Sequence, residues 1–437
     1  MARPPATGPP RWTRRWSGCG SAAPRRVMRV VPERSISSDA PPEALQGVQS
    51  TSAGNASPVT FELLTTDAPT RARRGRMRTA HGAVETPAFM PVGTQATVKT
   101  LHPDEVRATG AQIILANTYH LMLRPGVETI ERAGGLHRFM GWNGPILTDS
   151  GGFQIFSLGG NAQLTEERVA FRSHIDGSRH ELTPERSMRL QLRYGSDIVM
   201  ALDTFVGLPA ERAAVQAATE RTARWLQRCV AAFASLGGHQ RGSALFGICQ
   251  GGMDADLRRE SAAMLAAADV SGCAIGGLSV GEPKPVMAAM LEETTDRLPA
   301  GKPRYLMGVG SPEDLWMGVG LGVDLFDCVL PTRLARNGAL FTPTGRVNIK
   351  QRRWAEVHKP LDPTCDCEAC GRFTAAYLHH LFRADEILGL RLASAHNLRF
   401  LARQMEEIRA AIETGTFAEA AAAFHARYRP VGAESAA

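Results

Sequence analysis

The chain has 437 residues, of which 43% are hydrophobic and 21% are charged. This composition supports a large buried core and excludes a chain that is disordered throughout. No apolar run approaches the roughly 18 residues that a membrane-spanning helix needs, which predicts a soluble protein without a membrane partner.

Most of the net charge of +7 comes from the N-terminal stretch, residues 1–58. This stretch is rich in Pro, Ser and Gly and holds eight arginines against Glu33, Asp39 and Glu43, a net charge of +5. We predict a disordered basic extension here and a short tail at residues 431–437. The basic balance therefore says little about what the rest of the chain binds. No apolar signal-peptide core follows the arginines, so we expect a cytoplasmic protein with reduced thiols.

Eight short apolar runs, each leading into Gly or polar residues, recur along the rest of the chain. Near-continuous apolar runs are typical of parallel strands buried on both faces. Between them, residues 211–233 and 254–268 place Ala, Leu and Val at helical spacing. This alternation over residues 59–430 predicts an α/β protein with a (β/α)₈ TIM barrel. The runs are TPAFMPVGT (86–94), AQIILANTY (111–119), GPILTDSGG (144–152), SDIVMALD (196–203), ALFGICQGG (244–252), CAIGGLSVGE (273–282), RYLMGVG (304–310) and VDLFDCVLPTR (323–333).

Polar residues and glycines stand at or just past the carboxyl ends of these predicted strands. In a barrel those ends converge on one mouth, where active sites are built. So many positions in register favour a site over ordinary turn residues. They are Asn117, Asp149, Asp203, Gln250, Gly276, Gly277 and Asp327.

Two of these residues, Asp149 and Asp327, are carboxylates that would lie across the mouth from each other. Such a pair suits chemistry at an anomeric carbon, where one carboxylate attacks or stabilises an oxocarbenium-like centre and the other moves protons. Asp203 could instead read a base, because a carboxylate accepts from adjacent N–H donors such as those of guanine. Gln250 and the backbone N–H groups of residues 276–277 could donate to a carbonyl oxygen. Any one of these aspartates taken alone would more simply cap a helix.

A basic run begins just after Asp327. Basic side chains beside the predicted mouth would hold the phosphates of a nucleic acid, and the alternative is a solvated surface. The run consists of Arg333, Arg336, Lys350, Arg352, Arg353 and Lys359.

The segment CDCEAC (365–370) is a C-x-C-x₂-C cluster. Three thiolates can converge on one Zn²⁺ and leave one tetrahedral corner for a histidine, which makes a closed, structural site. The cluster lies between the eighth strand and the C-terminal helix, which predicts a zinc-binding insertion at about residues 345–400. We expect ASAHNLRF, which contains His396, to begin that helix. The spacing does not choose among the downstream histidines, which are His379, His380 and His396.

Further motifs occur in a fixed order: NTYHLMLRPG (117–126), GGLHRFMGW (134–142), LTDSGGFQ (147–154), DGSRHELTPERS (176–187), FGICQGG (246–252), GGLSVGE (276–282), YLMGVG (305–310) and FDCVLPTRLARNG (326–338). Together with CDCEAC they resemble the bacterial-type tRNA-guanine transglycosylases, also called queuine tRNA-ribosyltransferases. The resemblance covers roughly residues 59–430 and implies a (β/α)₈ barrel with a zinc-binding insertion. It also implies a pentosyltransferase of queuosine biosynthesis. Such an enzyme exchanges guanine at wobble position 34 of tRNAs with GUN anticodons for preQ1 or a related 7-deazaguanine.

The resemblance implies roles for the residues at the mouth. Asp327 would be the nucleophile that attacks ribose C1′ and holds the tRNA covalently, and Asp149 would be the general acid and base. Phe153 and Met307 would sandwich the ring, and Leu278 would offer its backbone carbonyl to the incoming aminomethyl group. The full set of implied base-binding residues is Ser150, Phe153, Gln154, Asp203, Gln250, Gly276, Gly277, Leu278 and Met307.

The resemblance also implies contacts away from the base. Arg333 and Arg336 would lie along the anticodon loop. A homodimer would form through the zinc subdomain, with Tyr377 and His380 near the contact. The implied ligands of one structural Zn²⁺ per subunit are Cys365, Cys367, Cys370 and His396.

One segment departs from the family pattern. Bacterial members usually have Asp-Glu-Cys after the fourth strand, whereas this chain has Asp203, Thr204 and Phe205. Asp203 is retained, but Phe205 is far larger than Cys and could narrow the pocket. The choice among deazapurines therefore stays open at this stage.

Three alternative functions follow from parts of the pattern. One is a related transglycosylase that acts at another nucleic-acid position. A second is a non-catalytic tRNA-binding partner subunit, which would be expected to lack the pair Asp149 and Asp327. A third, a sugar hydrolase, would explain paired carboxylates but not CDCEAC beside a basic run.

Overall fold

The computed structural model describes residues 57–158, 162–207 and 210–429. The predicted extension, residues 1–58, lies outside this part of the chain except for its last two residues, and the predicted tail, residues 431–437, lies wholly outside it. The strands are β1 (Thr60–Thr66), β2 (Arg73–Thr79), β3 (Gly82–Thr86), β4 (Ala88–Pro91), β5 (Ile114–Ala116), β6 (Ile146–Thr148), β7 (Gln163–Leu164), β8 (Val169–Arg172), β9 (Arg179–Leu182), β10 (Ile198–Met200), β11 (Ala244–Cys249), β12 (Gly272–Ile275), β13 (Arg304–Leu306), β14 (Leu325–Cys328), β15 (Ala339–Thr342) and β16 (Gly345–Asn348). The helices are α1 (Pro103–Ala108), α2 (Thr118–Leu123), α3 (Val127–Arg132), α4 (Leu136–Met140), α5 (Gly152–Leu158), α6 (Pro184–Tyr194), α7 (Arg212–Ser235), α8 (Ala255–Ala266), α9 (Lys284–Thr295), α10 (Pro312–Gly320), α11 (Leu330–Arg336), α12 (Glu368–Arg372), α13 (Ala375–Arg383), α14 (Ile387–Glu413) and α15 (Phe417–Arg427), with a 3₁₀ turn at Arg352–Trp354.

A ring of eight parallel strands forms the centre of the fold. The strands hydrogen-bond in the order β4-β14-β13-β12-β11-β10-β6-β5. A parallel bridge between Val92 and Leu115 joins the two end strands and closes the ring. Each of the eight predicted apolar runs overlaps one of these strands, so the prediction of a (β/α)₈ barrel is confirmed.

Apolar side chains fill both sides of the ring, which explains why the strands are nearly continuous apolar runs. Met90, Leu147 and Phe246 belong to the core inside the ring. Trp225 of α7 and Leu265 of α8 belong to the core between strands and helices. These two helices are the amphipathic segments predicted at residues 211–233 and 254–268. None of the helices in the described ranges combines the length and apolar character needed to span a membrane.

An antiparallel sheet of β1, β2 and β3 closes the amino end of the barrel. Met77 of β2 and Val84 of β3 are fully buried and join the same apolar cluster as the strand residues inside the ring. The turn between β2 and β3 carries His81, whose Nδ1 lies 2.8 Å from Oδ1 of Asp197, just before β10. The sequence interpretation did not include this sheet.

The predicted insertion, about residues 345–400, contains β16, α12 and α13, and β15 pairs with β16 just before it. It has an apolar core of its own, to which Leu340, Leu378 and Leu381 contribute. The prediction that His396 begins the C-terminal helix is wrong, because α14 begins at Ile387. The first turns of this helix are needed for packing, since Leu392 belongs to the core of the insertion.

Candidate active site and metal cluster

The carboxyl ends of the barrel strands bring the predicted polar residues to one mouth. Asn117, Asp149, Gln250 and Gly276 each come directly after the last residue of a strand, and Asp327 is the last residue but one of β14. Parallel strands in a closed ring point their carboxyl ends the same way, so these positions share one end of the barrel. The fold therefore brings these side chains together at the carboxyl end of the barrel, the location that was predicted for the site.

Asp149 is held in place by donors from three directions. Its Oδ1 accepts from the backbone N–H of Thr118 at 2.8 Å, and its Oδ2 accepts from Nε2 of Gln154 at 2.9 Å and from Nδ2 of Asn117. Burial raises the pKa of Asp149 to about 6, although these hydrogen bonds lower it, and the charge of Asp327 raises it further. A carboxyl group with a pKa near neutrality can both give and take a proton at physiological pH.

Asp327 accepts two hydrogen bonds at one oxygen. Its Oδ1 accepts from the hydroxyl of Tyr305 at 2.6 Å and from the backbone N–H of Gly308 at 2.8 Å. Burial raises the pKa of Asp327, and both hydrogen bonds lower it. No hydrogen bond to Oδ2 occurs within the described ranges, so that oxygen is available for reaction.

Asp203 and Gln250 form a connected pair beside the two aspartates. Nε2 of Gln250 donates to Oδ2 of Asp203 at 2.7 Å, and burial raises the pKa of Asp203. The glycines at 276 and 277 let the next loop approach Gln250, because a Cβ at either position would lie 2.7 Å or 2.5 Å from its side-chain amide. A side chain at either position would therefore push the Gln250 amide aside, and Gly277 also has a φ of +68°, which favours glycine.

The loop continues through Leu278, whose side chain is buried. The backbone N–H groups of Ser279 and Val280 donate to the carboxylate of Glu282, the second at 2.9 Å. In a planar trans peptide the carbonyl points opposite to the N–H, so the Leu278 carbonyl faces away from Glu282.

Aromatic and polar residues from other loops complete the mouth. The ring of Phe153 is 53% exposed and meets the ring of Phe205 edge to face, with centres 5.4 Å apart. Met307 follows β13 and packs against the interior core. Oε1 of Gln154 is buried and has no hydrogen-bond partner in the part of the chain that the structure describes. Ser150 is buried, and its hydroxyl accepts from the N–H of Gly152 at 3.3 Å.

Thr204 does not face the mouth. Its hydroxyl donates to the carbonyl of Ala218 at 2.7 Å, and its N–H donates to Thr222 at 3.0 Å, both on α7. The departure from the family pattern therefore affects the site through Phe205.

The basic residues after Asp327 are largely unpaired. Arg333 is exposed, and Nη1 of the half-buried Arg336 has no hydrogen-bond partner among the described residues. The remaining members of the run have no ion pair in the described ranges and are exposed. They are Lys350, Arg352, Arg353 and Lys359.

The structure brings together the four predicted metal ligands. Their ligand atoms all lie within 4.8 Å of one another, and the four side chains are buried. Nδ1 of His396 is 3.5 Å from Sγ of Cys367 and 3.4 Å from Sγ of Cys370, and the group is completed by Cys365. Nε2 of His396 lies 2.7 Å from the carbonyl of Phe341, which can only accept, so Nε2 carries the proton and Nδ1 is free to bind a metal.

The other two histidine candidates are placed elsewhere. Nδ1 of His379 contacts the carbonyl of Ile349 at 2.7 Å, and the ring of His380 stacks on Tyr377 at 6.3 Å between centres. The Cys₃His group can therefore hold a metal with His396 as the fourth ligand.

A second group of ligand-type residues lies at the opposite end of the barrel and is not arranged for a metal. His81 and His137 both contact the carboxylate of Asp197, at 2.8 and 3.3 Å. Their rings are stacked, with centres 3.6 Å apart and planes inclined by 15°. Two imidazoles sharing a tetrahedral zinc ion would have centres about 5 Å apart and planes that meet at the ion. The stacked rings form a hydrogen-bonded clamp on Asp197.

Two residues near the mouth were missed in the sequence interpretation. Tyr305 stood inside a predicted strand, and nothing in its neighbours indicates that its hydroxyl reaches Asp327. Arg258 stood in an amphipathic helix between charged residues, but it is fully buried and contacts the loops that carry Gln250 and Gly277.

Comparison with known proteins gives a consistent result. The model of the family described as Queuine tRNA-ribosyltransferase matches residues 67–430. A protein of that name from Herpetosiphon aurantiacus is 61% identical over 341 residues, which is 78% of this chain and 86% of the relative. Proteins of the same name from Symbiobacterium thermophilum and Moorella thermoacetica are 56% and 55% identical, over 86% and 85% of this chain and 93% and 98% of their own lengths.

Proposed function

The chain belongs to the queuine tRNA-ribosyltransferase family and is a pentosyltransferase of queuosine synthesis, and on that premise we propose the details of its reaction. It exchanges guanine at position 34 of tRNAs with GUN anticodons for preQ1 or a related 7-deazaguanine. The observation that carries the proposal is the pair Asp149 and Asp327 at one barrel mouth, close enough for the charge of one to raise the pKa of the other.

In the first step, Asp327 is the nucleophile. Its carboxylate attacks ribose C1′ of nucleotide 34, a C1′–O bond forms, and the bond from C1′ to N9 of guanine breaks. Asp149 gives its proton to the departing base, which receives the electron pair of the broken bond. In the second step, Asp149 takes the N9 proton of the incoming base, whose nitrogen attacks C1′ and releases the Asp327 carboxylate.

The remaining mouth residues suit a purine-like ring. Asp203 accepts from the guanine-type N–H donors, and Gln250 with the N–H of Gly277 donates to the carbonyl oxygen. The unpartnered Oε1 of Gln154 supports its role as a further base contact. Phe153 and Met307 stack on the two faces of the ring. The other base-binding residues in this proposal are Ser150, Gly276 and Leu278.

Arg333 and Arg336 bind the anticodon loop in this proposal. The exposure of Arg333 and the unpartnered nitrogen of Arg336, close in sequence to Asp327, support contact with phosphates. The exposed basic residues of the insertion extend this surface. Since tRNA is the substrate, we place the enzyme in the cytoplasm.

The metal of the Cys₃His group is Zn²⁺ in this proposal. Thiolates and imidazole are the ligands that zinc prefers, and a closed tetrahedral set leaves no position for substrate. Zinc would therefore tie the insertion to α14, which carries His396. We propose that this subdomain extends over about residues 345–400 and that the catalytic unit is residues 59–430, in keeping with a family match that begins at residue 67.

We also propose a homodimer formed through the zinc subdomain. Tyr377 is 38% exposed and stacks between Phe373, at 5.3 Å, and His380, at 6.3 Å. Aromatic residues that are exposed on the single chain are enriched in the centre of protein–protein interfaces, where the partner buries them.

The test is incorporation of radiolabelled guanine into unmodified tRNA with a GUA anticodon, with a G34-to-A tRNA as control. Incorporation only with G34 supports the proposal. Incorporation that persists with the control tRNA would point to a transglycosylase acting at another position. If tRNA and zinc are bound but no label is incorporated, the chain is a non-catalytic partner subunit.

The pH dependence of the first step should report the ionisation of Asp149. Its protonated form is the acid, and its pKa is raised to about 6, so kcat/KM for tRNA should fall as pH rises above about 6. Asp149→Asn should lower the rate by about 10²- to 10³-fold and remove this limb. A limb unchanged in the variant would assign the ionisation to another group.

The size of Phe205 should influence the choice of base. Replacing Phe205 by Cys removes the edge-to-face contact with Phe153 and opens the pocket. We expect the KM ratio between guanine and a 7-substituted deazaguanine to change by about fivefold in favour of the larger base. Thr204→Val, at the neighbouring position turned away from the mouth, is the control and should leave the ratio unchanged.

A further inference from the structure

The loop after β12 holds two backbone N–H groups without a hydrogen-bond partner in the part of the chain that the structure describes. They belong to Gly277 and Leu278, and Leu278 is only 4% exposed. Roughly nine-tenths or more of buried backbone groups in folded proteins are paired. Leu278 is buried, so its unpaired N–H calls for an acceptor from outside the chain, and the N–H of Gly277, which is partly exposed, lies next to it.

The carbonyls of the same two peptide groups are held by Arg258 of α8. Its Nη1 donates to the carbonyl of Gly276 at 2.9 Å, and its Nη2 donates to the carbonyl of Gly277 at 3.2 Å. Its Nε donates to the carbonyl of Gly252 at 2.9 Å, in the loop after β11. Because C=O and N–H point in opposite directions in a planar trans peptide, the N–H groups of Gly277 and Leu278 are turned away from Arg258.

Arg258 is unusual in having no carboxylate partner within the described ranges, although its side chain is fully buried. Burying an unpaired cation costs free energy, so such a residue needs compensation. Here three backbone carbonyls supply it. A cation bound to a peptide carbonyl polarises the peptide group, which makes its N–H a stronger donor.

We infer that Arg258 is a positioning residue of the base pocket, which orients and polarises the peptides 276–277 and 277–278 toward the carbonyl oxygen of a guanine-like base. The inference rests on the proposed function, in which this loop reads the base. Arg258 itself touches no substrate. It holds the two peptide groups in a fixed orientation, so their N–H groups need not reorient when the carbonyl oxygen of the base binds.

The test compares guanine with 2-aminopurine, which lacks the carbonyl oxygen, by binding to the purified full chain in a calorimeter. Arg258→Met should weaken guanine binding by at least about tenfold and 2-aminopurine binding by less than about twofold. Arg258→Lys keeps the charge and part of the bonding, so it should fold and give an intermediate loss for guanine. If the methionine variant does not fold, the lysine variant carries the comparison.

Arg304 provides the matched control. It is largely buried and donates to the carbonyl of Leu298 at 2.8 Å, but it lies at the amino end of β13, away from the mouth. Arg304→Lys should lower Tm without changing the ratio between the two bases. Equal losses for both bases, no loss, or the same change in the Arg304 variant would overturn the inference. Because binding is measured without tRNA, failure of guanine exchange in the wild-type protein would count against the proposed function alone.

Discussion

Replacing Asp327 by Asn is expected to reduce guanine exchange by at least about 10³-fold, because an amide cannot form the covalent bond to ribose C1′. Asn has the same shape and can still accept from Tyr305 and Gly308 at its carbonyl oxygen. The variant should therefore fold normally and bind tRNA with nearly unchanged affinity.

The measurement is a denaturing gel of the protein mixed with end-labelled tRNA in the absence of an incoming base. The wild-type protein should give a band that contains both protein and label, and Asp327→Asn should give none. Tyr305→Phe is the matched control, since it removes the 2.6 Å hydrogen bond but keeps the carboxylate, and it should form the adduct more slowly. A stable adduct in Asp327→Asn would show that another residue is the nucleophile.

Replacing Cys367 by Ser is expected to remove bound zinc and to lower the free energy of unfolding by about 3 kcal/mol or more. Serine is a poor ligand for zinc, and the three remaining ligands would be left as buried polar groups around an incomplete site. The insertion packs on α14, so the loss should be felt in the barrel as well as in the subdomain.

Zinc content by mass spectrometry and urea unfolding of the same samples test this expectation. Cys273→Ser is the control, because Cys273 is buried like Cys367 but lies in β12, outside the metal group. It should keep one zinc per chain and lose much less stability. Stoichiometric zinc in the Cys367 variant would exclude this residue as a ligand.

The barrel could be predicted because its strands are buried on both faces. Each strand is then an apolar run, and the polar residue that follows it marks the mouth, as Asp149 and Gln250 do. The metal group could be predicted because three of its ligands are close in sequence. The cysteine spacing alone did not choose His396, which the family resemblance implied, and the fold adds the carbonyl of Phe341 that orients its ring from another element.

The contacts that run between elements could not be predicted. Tyr305 reaches Asp327 because β13 and β14 pair in a register that sets Tyr305 beside Leu325, two residues before the aspartate. The register between two parallel strands cannot be inferred from sequences that are apolar throughout. Arg258 lies among Arg and Glu residues on a helix, a pattern typical of a solvated face, and only the packing of α8 against two loops turns it inward.

The small sheets were missed for a different reason. Strands β1 to β3 are largely polar and contain several arginines, so they lack the apolar runs that indicated the barrel. Their buried residues, such as Met77 and Val84, are too few to stand out in the sequence.

The sheet of β1 to β3 limits the route by which bases can enter and leave the barrel. In the described part of the barrel it shuts the amino end, so in the proposed reaction the departing guanine and its replacement both pass through the carboxyl end, where the tRNA would be bound. Guanine that lingers there can return to C1′ and restore the starting tRNA. The yield of modified tRNA then depends on the relative concentrations of the two bases at the carboxyl end of the barrel. A high concentration of free guanine in the cell would slow the modification of tRNA.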